Sequence, residues 1–132
     1  MRNLLKGKGY KATPARIEIL DILNKSKKPL NAELVYQKIK NKNINKTTVY
    51  RTLSSLSESE ILKIVDLHKD SVFFELQNKH HHHIICTDCD LVEDIENIEV
   101  EKVLSKIKIS SSKFKNIKEH SLEFFGICKE CS

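Results

Sequence analysis

Four cysteines in two C-x-x-C pairs, Cys86/Cys89 and Cys128/Cys131, constrain this 132-residue chain more than any other feature in it. Each pair bends a turn so that both sulfurs point at one ion. Two pairs make the tetrahedral four-sulfur cage that Zn2+ favours, with Zn–S bonds of about 2.3 Å. Residues 90–127 separate the pairs, so a shared ion would pin the last residues back onto the middle of the chain. Such a site has no open position and is therefore structural, not catalytic. For a unit of roughly 50 residues, metal ligation supplies much of the folding free energy. Two disulfides or free thiols are the alternative uses. The N-terminus, Met1 to Lys6, lacks an apolar stretch long enough for a signal peptide. The expected location is thus the cytoplasm, where paired cysteines more often hold metal than form disulfides.

Immediately before the first pair stands His80-His81-His82-His83. In an extended segment, side chains alternate faces, so His80 and His82 point one way and His81 and His83 the other. Two imidazoles on one face can converge on one ion, and the run divides into two half-sites. Each half-site needs carboxylates or a further histidine; Glu75, Asp94, Glu101 and His120 are candidates. A nitrogen and oxygen ligand set suits Fe2+, Zn2+ or Mn2+. The bland alternative is a histidine patch with no specific site.

The charge is placed unevenly. Residues 1–51 hold 13 Lys/Arg against three acids, a net of +10, whereas residues 79–132 hold eight against ten, a net of −2. A basic half suggests a polyanionic partner, although a lysine-rich solvated surface has the same composition. Along this half, Thr13-Pro14 reads as a cap and first residue of a helix carrying Ile17, Leu20 and Leu23. Asn31 reads as the cap of a second helix, with Leu34, Val35 and Ile39. A third helix spans about 46–59, with Val49, Leu53 and Leu56 as its apolar stripe. Two strand-like runs, 61–67 and 71–76, meet around Lys69-Asp70. Three helices and a hairpin, strongly basic, make a winged helix-turn-helix.

On the third helix, Thr47, Tyr50, Arg51 and Ser54 lie opposite the stripe. Arginine pairs with guanine, tyrosine meets a thymine methyl, and hydroxyls and amides hold phosphates. The alternative is an ordinary amphipathic helix with a polar face. Beyond residue 78 the sequence reads as a small α/β domain. It has an extended run 80–86, a strand 91–95 and a helix carrying Ile98, Val103, Leu104 and Ile107. A last strand is expected over roughly 114–128. The expected fold is α+β: a winged helix-turn-helix at 1–77 and a metal-binding α/β domain at 78–132.

In this order, the pieces resemble the ferric uptake regulator family, including its zinc-sensing and peroxide-sensing branches. The marks are Ala12-Thr13-Pro14-Ala15-Arg16, Ala32-Glu33-Leu34-Val35-Tyr36, Thr48-Val49-Tyr50-Arg51-Thr52-Leu53, His80 to Cys86, Cys89 and Phe125 to Cys131. The resemblance covers nearly the whole chain. It implies a metal-dependent repressor of iron or zinc uptake genes, acting as a homodimer on double-stranded operator DNA, with no membrane and no enzyme activity. It implies a structural Zn2+ on Cys86, Cys89, Cys128 and Cys131. It implies a regulatory hinge site for Fe2+ or Zn2+, with Mn2+ also suited, on Glu75, His81, His83 and Asp94. It implies a second site on His80, His82, Glu101 and His120. It implies DNA contacts from Lys11, Arg16, Thr47, Thr48, Tyr50 and Arg51.

One departure stands out. The family's hinge site usually takes another histidine just before the second long helix, where this chain reads Lys27-Lys28-Pro29-Leu30-Asn31. The site is then either incomplete or filled there by water, His68 or Asp66, and the missing histidine weighs against the peroxide-responsive alternative. A metal-storage or metal-delivery protein without DNA binding is the rival class, and the basic half argues against it. A zinc enzyme is a further rival, but no H-E-x-x-H motif or nucleophile elbow occurs.

Overall fold

The structure is a computed structural model. It describes residues 2–77, 82–95, 102, 103, 106, 112–116 and 120–132. The chain divides into two compact units, Met1–His80 and His81–Ser132.

The first unit is built from capped helices. Helix α1 (Arg2–Gly7) precedes α2 (Pro14–Lys25), strand β1 (Leu30–Asn31), α3 (Ala32–Lys38) and α4 (Lys46–Glu58). Pro14 opens α2, and Thr13 Oγ1 accepts from the backbone N–H of Arg16 at 3.3 Å. Asn31 Oδ1 accepts from Leu34 N at 2.8 Å, and Asn45 Oδ1 from Thr48 N at 2.8 Å. Each side chain satisfies an amide that the helix itself leaves unbonded. Strands β2 (Leu62–Val65) and β3 (Phe73–Leu76) form the wing. With β1 they make an antiparallel sheet in the order β1-β3-β2.

Ile19, Leu20 and Leu23 of α2, Val35 of α3, and Val49, Leu53 and Leu56 of α4 meet Leu30, Leu62, Phe74 and Leu76 of the sheet in one core. Within α2, Ile19 is buried with Leu20 and Leu23, whereas the expected Ile17 is only partly buried. Two elements exceed the expected three helices and a hairpin. Strand β1 is two residues long, below what alternation reveals, and exists because Leu30 pairs with Phe74. Helix α1 has a single fully buried side chain, Leu5, too little for a readable stripe. Its carbonyl accepts from Tyr10 N at 2.9 Å as the chain turns through Gly9, whose φ of 80° suits glycine.

The second unit contains a sheet in the order β5-β4-β6, from β4 (His82–Cys86), β5 (Val92–Ile95) and β6 (Glu123–Gly126). Strand β4 is antiparallel to β5 and parallel to β6. The last strand is shorter than the expected 114–128. Among the described residues the strand runs only over 123–126, paired with β4, and Phe114, which is exposed, lies outside that sheet. Lys102, Val103 and Lys106 lie in helical backbone, while Ile98, Leu104 and Ile107 fall outside the described residues. No described helix is long and apolar enough to cross a membrane.

Candidate metal centres and nucleic-acid interface

Strand pairing gathers the cysteines. Cys86 ends β4, and Cys89 follows in a turn where Asp90 N donates to Cys86 O at 3.0 Å. Cys128 follows β6, which runs beside β4 and ties Thr87 N to Gly126 O at 2.9 Å. Cys131 returns through a second turn, its N–H on Cys128 O at 3.1 Å. The four sulfurs lie within 4.8 Å of one another. The Cys89–Cys128 Sγ separation is 3.7 Å, far beyond a disulfide bond, and all four thiols are free. Tetrahedral bonds of about 2.3 Å place neighbouring sulfurs roughly 3.8 Å apart, so the spacing fits a four-thiolate metal cage.

Thiolates packed this closely repel one another unless a cation lies among them. Backbone N–H groups of Cys89 and Cys128 lower the Cys86 thiol to about 6. Hydrogen bonding with the Cys128 and Cys89 sulfurs pushes Cys131 up to about 12. Cys86 and Cys131 thus resist ionising together, and a dication at the centre removes that conflict.

Adjacent histidines of β4 use opposite faces of the sheet. His83, which is 1% exposed, stands across from Asp94, with Nε2 and Oδ1 3.8 Å apart. That is too long for a hydrogen bond. Two donors each about 2.1 Å from one ion lie roughly 3–4 Å apart, so the gap suits a shared ligand. His82, also buried, has the His120 ring 6.0 Å away, centroid to centroid. His80, His81 and Glu101 fall outside the described residues.

Glu123 escaped the sequence reading. The parallel register sets it opposite His83, on the side away from Asp94, and Ser121 Oγ donates to its oxygens at 2.7 and 2.9 Å. No local signal announces a parallel neighbour 40 positions later.

Glu75 belongs to the first unit. It sits on β3 directly across from Lys63 of β2, and Lys63 Nζ meets its Oε1 at 3.0 Å. The carboxylate side chain is only 7% exposed. At the wing tip His68 N donates to Asp66 Oδ1 at 2.8 Å, and both side chains are exposed.

The buried stripe of α4 turns its other side outward. Thr47, Tyr50 and Arg51 are exposed and Thr48 is half-buried. Lys46 is tied to Glu33 at 2.6 Å, and that hydrogen bond raises its pKa. Lys11 is exposed on the segment before α2. Arg16 turns back along that segment: its Nη1 donates to Lys11 O at 3.0 Å, and its guanidinium lies 5.0 Å from the Tyr10 ring centroid.

Residues 7–125 match the ferric uptake regulator family. The chain is 35% identical over 131 residues to a ferric uptake regulation protein of Bordetella parapertussis, spanning 96% of this chain and 93% of that one. It is 34% identical over 139 residues to a protein of the same name from Bacillus subtilis, spanning 100% and 92%. The solved Helicobacter pylori ferric uptake regulator, described as having three functional metal binding sites, matches with a TM-score of 0.73 and 28% identity. That match covers 98% of this chain and 87% of the other. The iron-containing regulator of Francisella tularensis matches with a TM-score of 0.70 and 31% identity, covering 93% and 95%.

Proposed function

This chain belongs to the ferric uptake regulator family of metal-responsive transcription regulators, which are not enzymes, and on that premise we propose that it is a metal-dependent repressor of metal-uptake genes. It acts in the cytoplasm as a homodimer on operator DNA. Residues 1–77 grip the DNA, and residues 78–132 bind metal and join the two copies.

The observation that carries the sensing role is the division of labour in β4, where consecutive histidines face separate partners, Asp94 and His120. His83 and Asp94, with His81 and with Glu75 from the wing, form the regulatory site for Fe2+, Zn2+ or Mn2+. His82 and His120, with His80 and Glu101, form the second site. Cys86, Cys89, Cys128 and Cys131 hold a structural Zn2+. A bound dication supplies one thing at each place, a multivalent cross-link between donors that are otherwise separate or mutually repelling. At the proposed regulatory site Glu75 is the donor contributed by the wing. Ligation there favours one arrangement of the DNA-gripping residues over others, and only a difference in affinity between arrangements shifts the balance.

The DNA contacts are Lys11, Thr47, Thr48, Tyr50 and Arg51. The exposed Tyr50 and Arg51 next to a capped helix start suit base edges and phosphates. Among the described residues β6 stands at the edge of its sheet, and it exposes Phe124 on one face and Phe125 and, just beyond the strand, Ile127 on the other, apolar positions that suit a second copy.

The test is metal-dependent DNA binding. Purified protein, stripped at its regulatory sites and then titrated with Fe2+, Zn2+ or Mn2+, binds a duplex selected from random sequence only when loaded. His81→Ala with His83→Ala abolishes that dependence while the fold persists. Equal affinity with and without metal refutes the switch.

A further inference from the structure

The segment between α1 and α2 is anchored at both ends by a short relay of side chains. Tyr10 OH donates to the Ser55 carbonyl of α4 at 3.2 Å and accepts from Ser55 Oγ at 3.3 Å, 45 positions away. The Arg16 guanidinium lies over the Tyr10 ring in cation–π contact and donates to the Lys11 carbonyl. Arg16 is half-buried, whereas the Lys11 side chain is exposed. Two directional features of the guanidinium, its planar face and one arm of its fork, are thus spent on the segment itself.

We propose that Arg16 is a positioning residue for DNA binding rather than a phosphate contact. It locks the backbone at Lys11 and, through Tyr10 and Ser55, ties it to the helix that carries Tyr50 and Arg51. Lys11 is then presented at a set offset from those two side chains. An unlocked Lys11 would have to be ordered at the moment of binding, and ordering one residue's backbone weakens affinity by roughly 5- to 30-fold. The proposal rests on Lys11 being a DNA contact.

The experiment measures affinity and salt dependence for the selected duplex. Metal-loaded full-length wild type, Lys11→Met, Arg16→Met, Arg16→Lys, Tyr10→Phe and the Lys11→Met/Arg16→Met double variant are compared, with thermal unfolding as the fold control. Lys11→Met weakens binding and makes it less salt-sensitive, by about 0.9 in the logarithmic slope for each phosphate no longer neutralised. Arg16→Met weakens binding by roughly 5- to 30-fold in the wild-type background but adds nothing in the Lys11→Met background. Arg16→Lys, which keeps the charge and loses the plane and fork, behaves like Arg16→Met. Tyr10→Phe, which deletes one hydroxyl and leaves the core intact, shows the same dependence on Lys11 and covers the case in which Arg16→Met misfolds. Wild-type binding by Arg16→Lys, or a further drop in affinity and salt slope when Arg16→Met is added to Lys11→Met, overturns the proposal. Unchanged binding by Lys11→Met removes the DNA anchor on which it rests, and the proposal with it.

Discussion

Replacing Lys63 by methionine removes a positive charge 3.0 Å from a carboxylate that is almost out of water. At that distance, with an effective dielectric constant of about 20, the Coulomb attraction is roughly 5 kcal/mol, which is a ceiling. Desolvation of Glu75 and the 25% exposure of Lys63 reduce the net worth of the pair to about 1–3 kcal/mol. Metal-free Lys63→Met is therefore less stable by that amount, and the melting temperature of the first unit falls by roughly 5–20 °C. If Glu75 is also a ligand of the regulatory ion, Lys63 competes with that ion for the same carboxylate. Removing the lysine then strengthens metal binding by a comparable free energy, a factor of about 5–150. The two readouts move in opposite directions, which a purely structural ion pair does not produce. Calorimetry of the metal-free protein gives the first, and competition against a chromophoric chelator gives the second. Glu75→Gln, which removes the donor, weakens metal binding in the same assay. A destabilised Lys63→Met with unaltered metal affinity sinks the assignment of Glu75.

Further outcomes follow from the same geometry. Cys86→Ser lowers tightly held zinc by one equivalent per chain, read by elemental analysis. Because ligation supplies folding free energy, residues 81–132 lose protection from hydrogen exchange while the first unit keeps its own; a stable zinc-free dimer of this variant contradicts the cage. His83→Ala and His82→Ala each remove a different metal equivalent, and only His83→Ala erases metal-dependent DNA binding; identical losses would mean one shared site. Asn45→Ala removes the cap of α4, costing about 1 kcal/mol. Its melting temperature drops by about 4–8 °C, and DNA affinity falls as the start of the helix frays.

Features that depend on residue type and short spacing were legible from the chain alone. The C-x-x-C pairs announced a four-sulfur cage because two turns suffice to aim four thiols. Thr13 and Asn31 announced helix starts, since a cap acts only three residues ahead. Val49, Leu53 and Leu56 announced which side of α4 turns inward. Strand alternation by itself separated His82 from His83. Tertiary structure decided whatever depends on distant pairing. It created β1 from two residues, cut the last strand to 123–126, and set Glu123 beside His83 by a parallel register. It put Lys63 on Glu75, and it folded Arg16 back onto Tyr10 and Lys11 instead of outward. Periodicity reports which face a residue occupies, but the neighbour on that face is chosen by strand register and core packing, which join positions tens of residues apart.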